Sequence, residues 1–295
     1  MTTWSELLAQ PGVILADGAM GTMLMANGLA FGNSPELWNV DEPQRVAEVH
    51  AAYVHAGARI LLTNTFGGNR FRLQLHNLQE RAAELNRAAA RLAREAAGGA
   101  ALVAGDIGPS GGILAPLGEL EPEAALAGFA EQAAALVEGG VDMIWLETMS
   151  SLEEMRAAFD GVRCASAEIP IITTMTFDTR GRTMMGVTPE RAAQTLSDWG
   201  AVAVGGNCGN GPEEILEVVA KMRAMTPAAT LVAKANAGVP HLQAGRPVYG
   251  AGPADMARYA TAAAEAGARV IGACCGSTPD HLRAMRDALA AKGLL

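Results

Sequence analysis

Aromatic side chains are scarce in this sequence, only 4% of its 295 residues. Its core must therefore be filled by Ala, Val, Leu, Ile and Met, and a composition that is 50% hydrophobic supplies enough of them. Positive charge is the minority sign, with 22 Lys and Arg against 31 Asp and Glu and a net charge of −9. Nucleic-acid binding needs clustered basic side chains, so no nucleic-acid partner is expected. No charge-free run of about 18 apolar residues occurs, and no membrane span is expected. The segment Met1–Gln10 contains Glu6 and lacks the basic-then-apolar order of an export signal. Cysteine is rare too, with four residues. A cytoplasmic location is the expectation; there the cysteines are thiols, and metal binding or catalysis suits them better than disulfides.

No low-complexity linker and no shift in composition divides the chain, so residues 1–295 are expected to form one domain. What recurs is a short apolar run followed by a longer Ala-rich segment. The runs are Val13–Ala16, Arg59–Thr63, Ala101–Ala104, Asp142–Leu146, Pro170–Met175, Ala201–Gly205, Leu231–Lys234 and Arg269–Gly272. Runs this short and apolar suit buried parallel strands. Helical periodicity marks Gln44–His55, Gln79–Ala97, Glu123–Glu138, Pro189–Trp199, Pro212–Met225 and Asp255–Ala266. Gly57, Gly140, Gly200 and Gly267 provide helix stops. Alternating strands and helices predict an α/β fold, a single (β/α)8 TIM barrel, whose usual size of about 250 residues this chain matches. An open doubly wound sheet is the alternative.

The residues that follow each run are not ordinary. Asp17-Gly18-Ala19-Met20-Gly21-Thr22 follows the first, Thr63-Asn64-Thr65-Phe66-Gly67-Gly68 the second and Asp106-Ile107-Gly108-Pro109 the third. Glu147-Thr148, Asn207-Cys208-Gly209, Asn236-Ala237-Gly238 and Cys274-Cys275-Gly276 end later ones. Polar, glycine and thiol residues thus collect at one end of the strands, the end where barrels carry their chemistry. Cys208, Cys274 and Cys275 come from the sixth and eighth runs, whose tips can converge. Three thiolates fill three of zinc's four tetrahedral positions, and an open fourth marks a catalytic site. Adjacent strand residues face opposite ways, so Cys274 and Cys275 share a metal only at a distorted strand end, which Gly276 permits. Inert core thiols or a vicinal disulfide are the alternatives. Cys164, between a helix and the fifth run, reads as a buried small hydrophobe.

Taken together, these segments resemble the homocysteine S-methyltransferase family, from about Val13 to about Ala290. The family includes the homocysteine-binding module of cobalamin-dependent methionine synthase and betaine–homocysteine methyltransferase. The resemblance implies one zinc per chain, held by Cys208, Cys274 and Cys275, and transfer of a methyl group to the homocysteine thiolate, giving methionine. It implies that Glu147 meets the homocysteine ammonium, with Asp17 assisting. The backbone amides of Gly18 and Ala19 are candidates for the carboxylate, and Asn207 for orienting the cysteine loop. Position 273 is Ala where the family often has Gly.

The methyl donor is the least determined element. Betaine enzymes of the family carry an aromatic just after the Thr-Phe of the second strand, where this chain has Gly67 and Gly68. Open glycines there suit a large donor. Pro35-Glu36-Leu37 and Cys274–Pro279 look closer to the methionine synthase module, which normally continues into pterin and cobalamin domains. Methylcobalamin supplied by a separate corrinoid protein, with a pterin-binding partner, is therefore the expectation. Betaine or another small onium donor is the alternative, with Trp38, Phe66 and Phe71 as its cage. A non-catalytic homocysteine- or zinc-binding subunit, or a barrel lyase or aldolase with incidental cysteines, are readings from other classes.

Overall fold

Each apolar run becomes a strand because parallel strands covered on both faces bury every side chain they carry. The computed structural model describes residues 3–243 and 246–295. Its barrel strands are β1 (Ile14–Leu15), β2 (Ile60–Leu62), β3 (Leu102–Ile107), β4 (Met143–Met149), β5 (Ile171–Met175), β6 (Ala203–Cys208) and β7 (Leu231–Ala235). A short antiparallel hairpin, β8 (His241–Gln243) and β9 (Arg246–Val248), precedes the last barrel strand, β10 (Ala268–Ala273). The eight barrel strands are parallel in the order β1-β10-β7-β6-β5-β4-β3-β2. A parallel bridge between Ala16 and Ile60 joins the two ends, with Asp17 N–H donating to the Ile60 carbonyl at 3.0 Å. That closure makes the fold a (β/α)8 barrel and removes the open-sheet alternative.

Three strands run three residues past the ends of the apolar runs. β3 takes in Asp106, β4 takes in Glu147, and β6 takes in Asn207 and Cys208. These polar groups therefore sit on the rigid ladder and not on loops. The helices follow their local signals. Proline opens Pro43–Ala56, Pro122–Gly139, Pro189–Asp198, Pro212–Met225, Pro253–Glu265 and Pro279–Ala291, where its missing N–H costs nothing. Gly57, Gly140, Gly200 and Gly267 all take positive φ just past a helix, as their stop role requires. Among the described residues, no helix is long and apolar enough to cross a membrane.

Two cores result. The larger lies between helices and strands and is built mostly from Ala, Val, Leu, Ile and Met. The smaller fills the barrel itself, with Ile14, Ile60, Leu62, Leu102, Met143, Ile172, Val232 and Val270 stacked around Trp145. Trp4 and Leu7, from the N-terminal helix Trp4–Ala9, pack against this inner core.

Candidate functional site

The C-terminal strand ends open onto a cavity of about 490 Å³. Asp17, Gly18 and Ala19 reach it after β1, Asp106 on β3, Glu147 and Thr148 on β4, Cys208 on β6, Lys234 on β7, and Cys274 and Cys275 after β10. Seven of the eight residues expected at the site thus line one space. The eighth, Asn207, does not.

The thiols are brought together by two local distortions. Cys208 has a left-handed backbone, φ +63°, and so does Thr148 on β4, φ +60°. Such conformations cost of order 1–3 kcal/mol in a residue other than glycine. Asn207 ties the two together: its Oδ1 accepts from Thr148 N–H at 2.9 Å and its Nδ2 donates to Thr148 Oγ1 at 2.7 Å. Named in the sequence as a candidate for orienting the cysteine loop, Asn207 is fully buried with its amide committed to the β4 tip. Cys274 and Cys275 lie past the end of β10, in a turn where strand alternation no longer separates them. Cys274 N–H donates to the Ala235 carbonyl at 2.8 Å, and the Cys275 carbonyl accepts from Ala237 N–H at 3.0 Å, so β7 pins the turn. Gly276 has φ +79°, and a Cβ there would strike the Tyr249 ring.

The three sulfurs lie within 4.8 Å of one another. Corners of a tetrahedron ~2.3 Å from a zinc ion stand ~3.8 Å apart, so the donor set and its spread fit a single ion with a corner left for a ligand from the cavity. The thiols are hydrogen-bonded to one another. Hydrogen bonds with Cys274 and Cys275 push Cys208 up, and hydrogen bonds from Cys208 and Cys274 hold Cys275 well below its usual range. Tyr249, from the segment after β9, also hydrogen-bonds Cys275. Cys164 stands apart, exposed in the last turn of the helix Leu152–Ala165. It is not the buried residue expected from its neighbours, because the helix turns that position outward.

Beside the thiols is a charged layer that sequence reasoning missed in part. Lys234 is buried, with Nζ 3.5 Å from Glu147 Oε2 and 3.7 Å from Asp17 Oδ1. Burial opposes its charge, but Glu147 and Asp17 outweigh that and hold its ammonium above the usual range. Burial pushes Asp17 up to about 7 and Glu147 up to about 6, with Lys234 working against both shifts. Asp17 is anchored by Leu62 N–H, which donates to its Oδ2 at 2.8 Å. The signal for Lys234 was available: a lysine inside the apolar stretch Leu231–Ala235 must find a carboxylate. Tyr249 had no such signal, because it enters from a segment remote from the cysteines in sequence.

Other expectations need revision. The Ala19 amide is already given to Ser277 Oγ at 3.0 Å, leaving Gly18 as the member of the pair that Ser277 does not engage. Gly67 and Gly68 are not open. The Gly67 amide donates to Glu36 Oε1 at 2.8 Å, and a Cβ on Gly68 would meet Asn86 and Gln132. Of the three aromatics proposed for a cage, only Phe66 lines the cavity. Phe71 packs on Gly128, and Trp38 stacks with Arg45. The aromatics that join Phe66 at the cavity are Phe31 and Tyr249.

Known proteins are similar to this chain in sequence and in fold. The sequence model of the family described as homocysteine S-methyltransferase matches residues 14–289. A methionine synthase of Mycobacterium leprae (strain TN) is 31% identical across 97% of this chain, and one of Mycobacterium tuberculosis is 31% identical across 94%. The chain spans 25% of the length of each. Among solved structures, the metallated form of the homocysteine methyltransferase MmuM from Escherichia coli superposes with a TM-score of 0.81 at 26% identity. That superposition covers 95% of this chain and 98% of that one. The oxidized form gives 0.80. With its model matching nearly end to end, the chain belongs to the homocysteine S-methyltransferase family.

Proposed function

We propose that this protein transfers a methyl group to the thiol of homocysteine, giving methionine, at a zinc site made by Cys208, Cys274 and Cys275. The observation that carries this reading is the juxtaposition of three sulfurs within 4.8 Å of one another with the buried carboxylates Asp17 and Glu147 in one cavity. A thiol and an ammonium on one small molecule match those two features. When bound, zinc supplies the positive charge that keeps a thiol deprotonated at neutral pH. The protein's own residues do the rest. Glu147 and Asp17 take the ammonium, the Gly18 amide faces the carboxylate, and Asn207 holds the β4 and β6 tips in register. Binding both ends of the acceptor orients its sulfur for in-line attack, and positioning of this kind is a large share of the rate.

The donor in this reading is methylcobalamin on a separate protein, supported by the similarity to the two methionine synthases. A specific observation favours a second reading, a small onium donor such as betaine: Phe31, Phe66 and Tyr249 line the cavity, and cations bind aromatic faces. Zinc-loaded protein incubated with homocysteine and each donor in turn tests both, with methionine followed by mass spectrometry. Absence of methionine with methylcobalamin, betaine, S-methylmethionine and dimethylsulfoniopropionate alike would overturn the proposed activity.

A further inference from the structure

Six acidic and basic side chains of the Asp, Glu, Lys and Arg types line this cavity: Asp17, Glu36, Arg72, Asp106, Glu147 and Lys234. Arg72 is exposed, and Glu36 is bonded to Ser34 Oγ and the Gly67 amide. The other four are buried, with the carboxyl groups of Asp17, Asp106 and Glu147 acting on the one cation Lys234, so this inner layer has more acidic than basic groups. Lys234 does not resolve it. Its Nζ sits 5.1 Å from the centre of the Trp145 ring, whose indole N–H donates to Thr174 Oγ1 at 3.1 Å. From there its contacts to Glu147 and Asp17 are 3.5 and 3.7 Å, longer than the ~2.8 Å of a tight charge-assisted bond.

Asp106 is the least provided for. It is 5% exposed, and its Oδ1 has no hydrogen-bond partner among the described residues; Asp17 Oδ1 shares that condition. The bonds that hold Asp106 in place are made by its backbone. Its N–H donates to Thr63 Oγ1 at 2.9 Å, and its carbonyl accepts from Thr65 Oγ1 at 2.7 Å. Burial, and then the neighbouring Glu147, push its carboxyl well above the usual range. A buried carboxylate without a partner destabilises a fold, and the amide of an asparagine would occupy the same space at less cost. The missing partner is a cation that arrives through the cavity.

We propose that Asp106 is a specificity-determining residue of the acceptor pocket, joining Asp17 and Glu147 around the α-ammonium of the incoming thiol while Lys234 serves as the fixed counter-cation. This deepens the acceptor reading above and rests on it. The pocket then takes α-amino thiols as a class and discriminates against thiols without an ammonium group. Lys234 neutralises one carboxylate's worth of charge, and the acceptor's ammonium neutralises a second. A thiol that brings only a carboxylate adds to the excess.

Calorimetric titration of zinc-loaded wild-type protein and Asp106→Asn tests this, using L-homocysteine and 4-mercaptobutanoate, which lacks the amino group. Homocysteine affinity is expected to fall about tenfold or more in Asp106→Asn, with less than about a twofold change for 4-mercaptobutanoate. The melting temperature of Asp106→Asn without acceptor is expected to hold or rise, because a buried carboxyl without a partner has been replaced by an amide of the same size that costs less to bury. A structural role would instead lower the melting temperature and weaken both thiols together, and that pattern overturns the proposal. Unchanged homocysteine affinity in Asp106→Asn overturns it as well, while leaving the acceptor reading intact. Failure of the wild-type protein to bind homocysteine overturns the acceptor reading itself, and this proposal with it.

Discussion

At the scale of single residues, the proposed function assigns the sulfurs to a metal and the carboxylates to an ammonium, and the two sets can be separated by substitution. Replacing Cys208, Cys274 or Cys275 by Ala takes one corner from a three-thiolate site and is expected to strip most of the zinc and the activity. Elemental analysis of the purified variants checks this, and full zinc occupancy in Cys275→Ala would sink the assignment. Cys164→Ala, exposed and remote, is expected to leave the zinc content unchanged. Glu147→Gln keeps the size of the side chain and removes its charge. Losing one charge-assisted contact costs roughly 1.5–3 kcal/mol, so homocysteine affinity should drop by about tenfold to a hundredfold while zinc content holds. Glu147 also pairs with Lys234 at 3.5 Å. Unchanged affinity in Glu147→Gln would mean that this ion pair is its whole role.

At the scale of elements, strand ends do the positioning. The tips of β4 and β6 each carry a left-handed residue, and the Asn207 amide is the clasp between them. Asn207→Ala leaves the Thr148 N–H without its acceptor, a loss of about 1–3 kcal/mol. The melting temperature should fall, and zinc should be lost to a chelator at lower concentration than from the wild type; a variant with unchanged chelator resistance would show that Cys208 needs no clasp. The helix Pro43–Ala56 carries a different liability. His50 is fully buried, neither ring nitrogen is hydrogen-bonded among the described residues, and burial pushes it down to about 4. The unfolded chain takes up this proton near pH 6.5, whereas the folded chain does so only near 4. Stability from the neutral ring is therefore complete above about pH 6.5 and falls as pH drops towards 4, with no further loss below. The buried carboxylates Asp17 and Glu147, raised in the fold, oppose this trend in the same window. The comparison with His50→Leu isolates the ring: between pH 7.5 and 4.5 the wild type should lose about 2 kcal/mol more than the variant in urea unfolding. Equal acid losses would show that the buried ring is not responsible.

At the scale of the whole molecule, the closed barrel places every chemical group at one end and leaves the inner core of Trp145 and its aliphatic neighbours beneath them. The donor must approach from the same open end. If it is a corrinoid, methylcobalamin, free or on a carrier protein, should methylate homocysteine at least as well as betaine does. Turnover with betaine far above that with methylcobalamin would reverse the choice. The cage is then Phe31, Phe66 and Tyr249, and Phe66→Ala should raise the betaine KM by a few-fold, since one cation–π contact contributes about 0.5–2 kcal/mol.

The sequence by itself determined the barrel and named seven residues that line the candidate cavity. Apolar runs, helix stops at glycine and polar strand ends are local signals, each readable from residue types and their spacing within a short stretch of chain. Three thiols on two strand ends were legible for the same reason. What only the tertiary structure decided depends on which side chains meet across the barrel. Lys234 between Asp17 and Glu147, the lone Asp106 carboxylate and the Asn207 clasp on Thr148 all join strands far apart in the chain. Gly67 and Gly68 looked open because glycine has no side chain; the space beside them is taken by Glu36, Asn86 and Gln132, whose positions no spacing announces. Charge balance in a closed interior is a property of the assembled layer, and it exists only once the strands that carry it have been brought round into one ring.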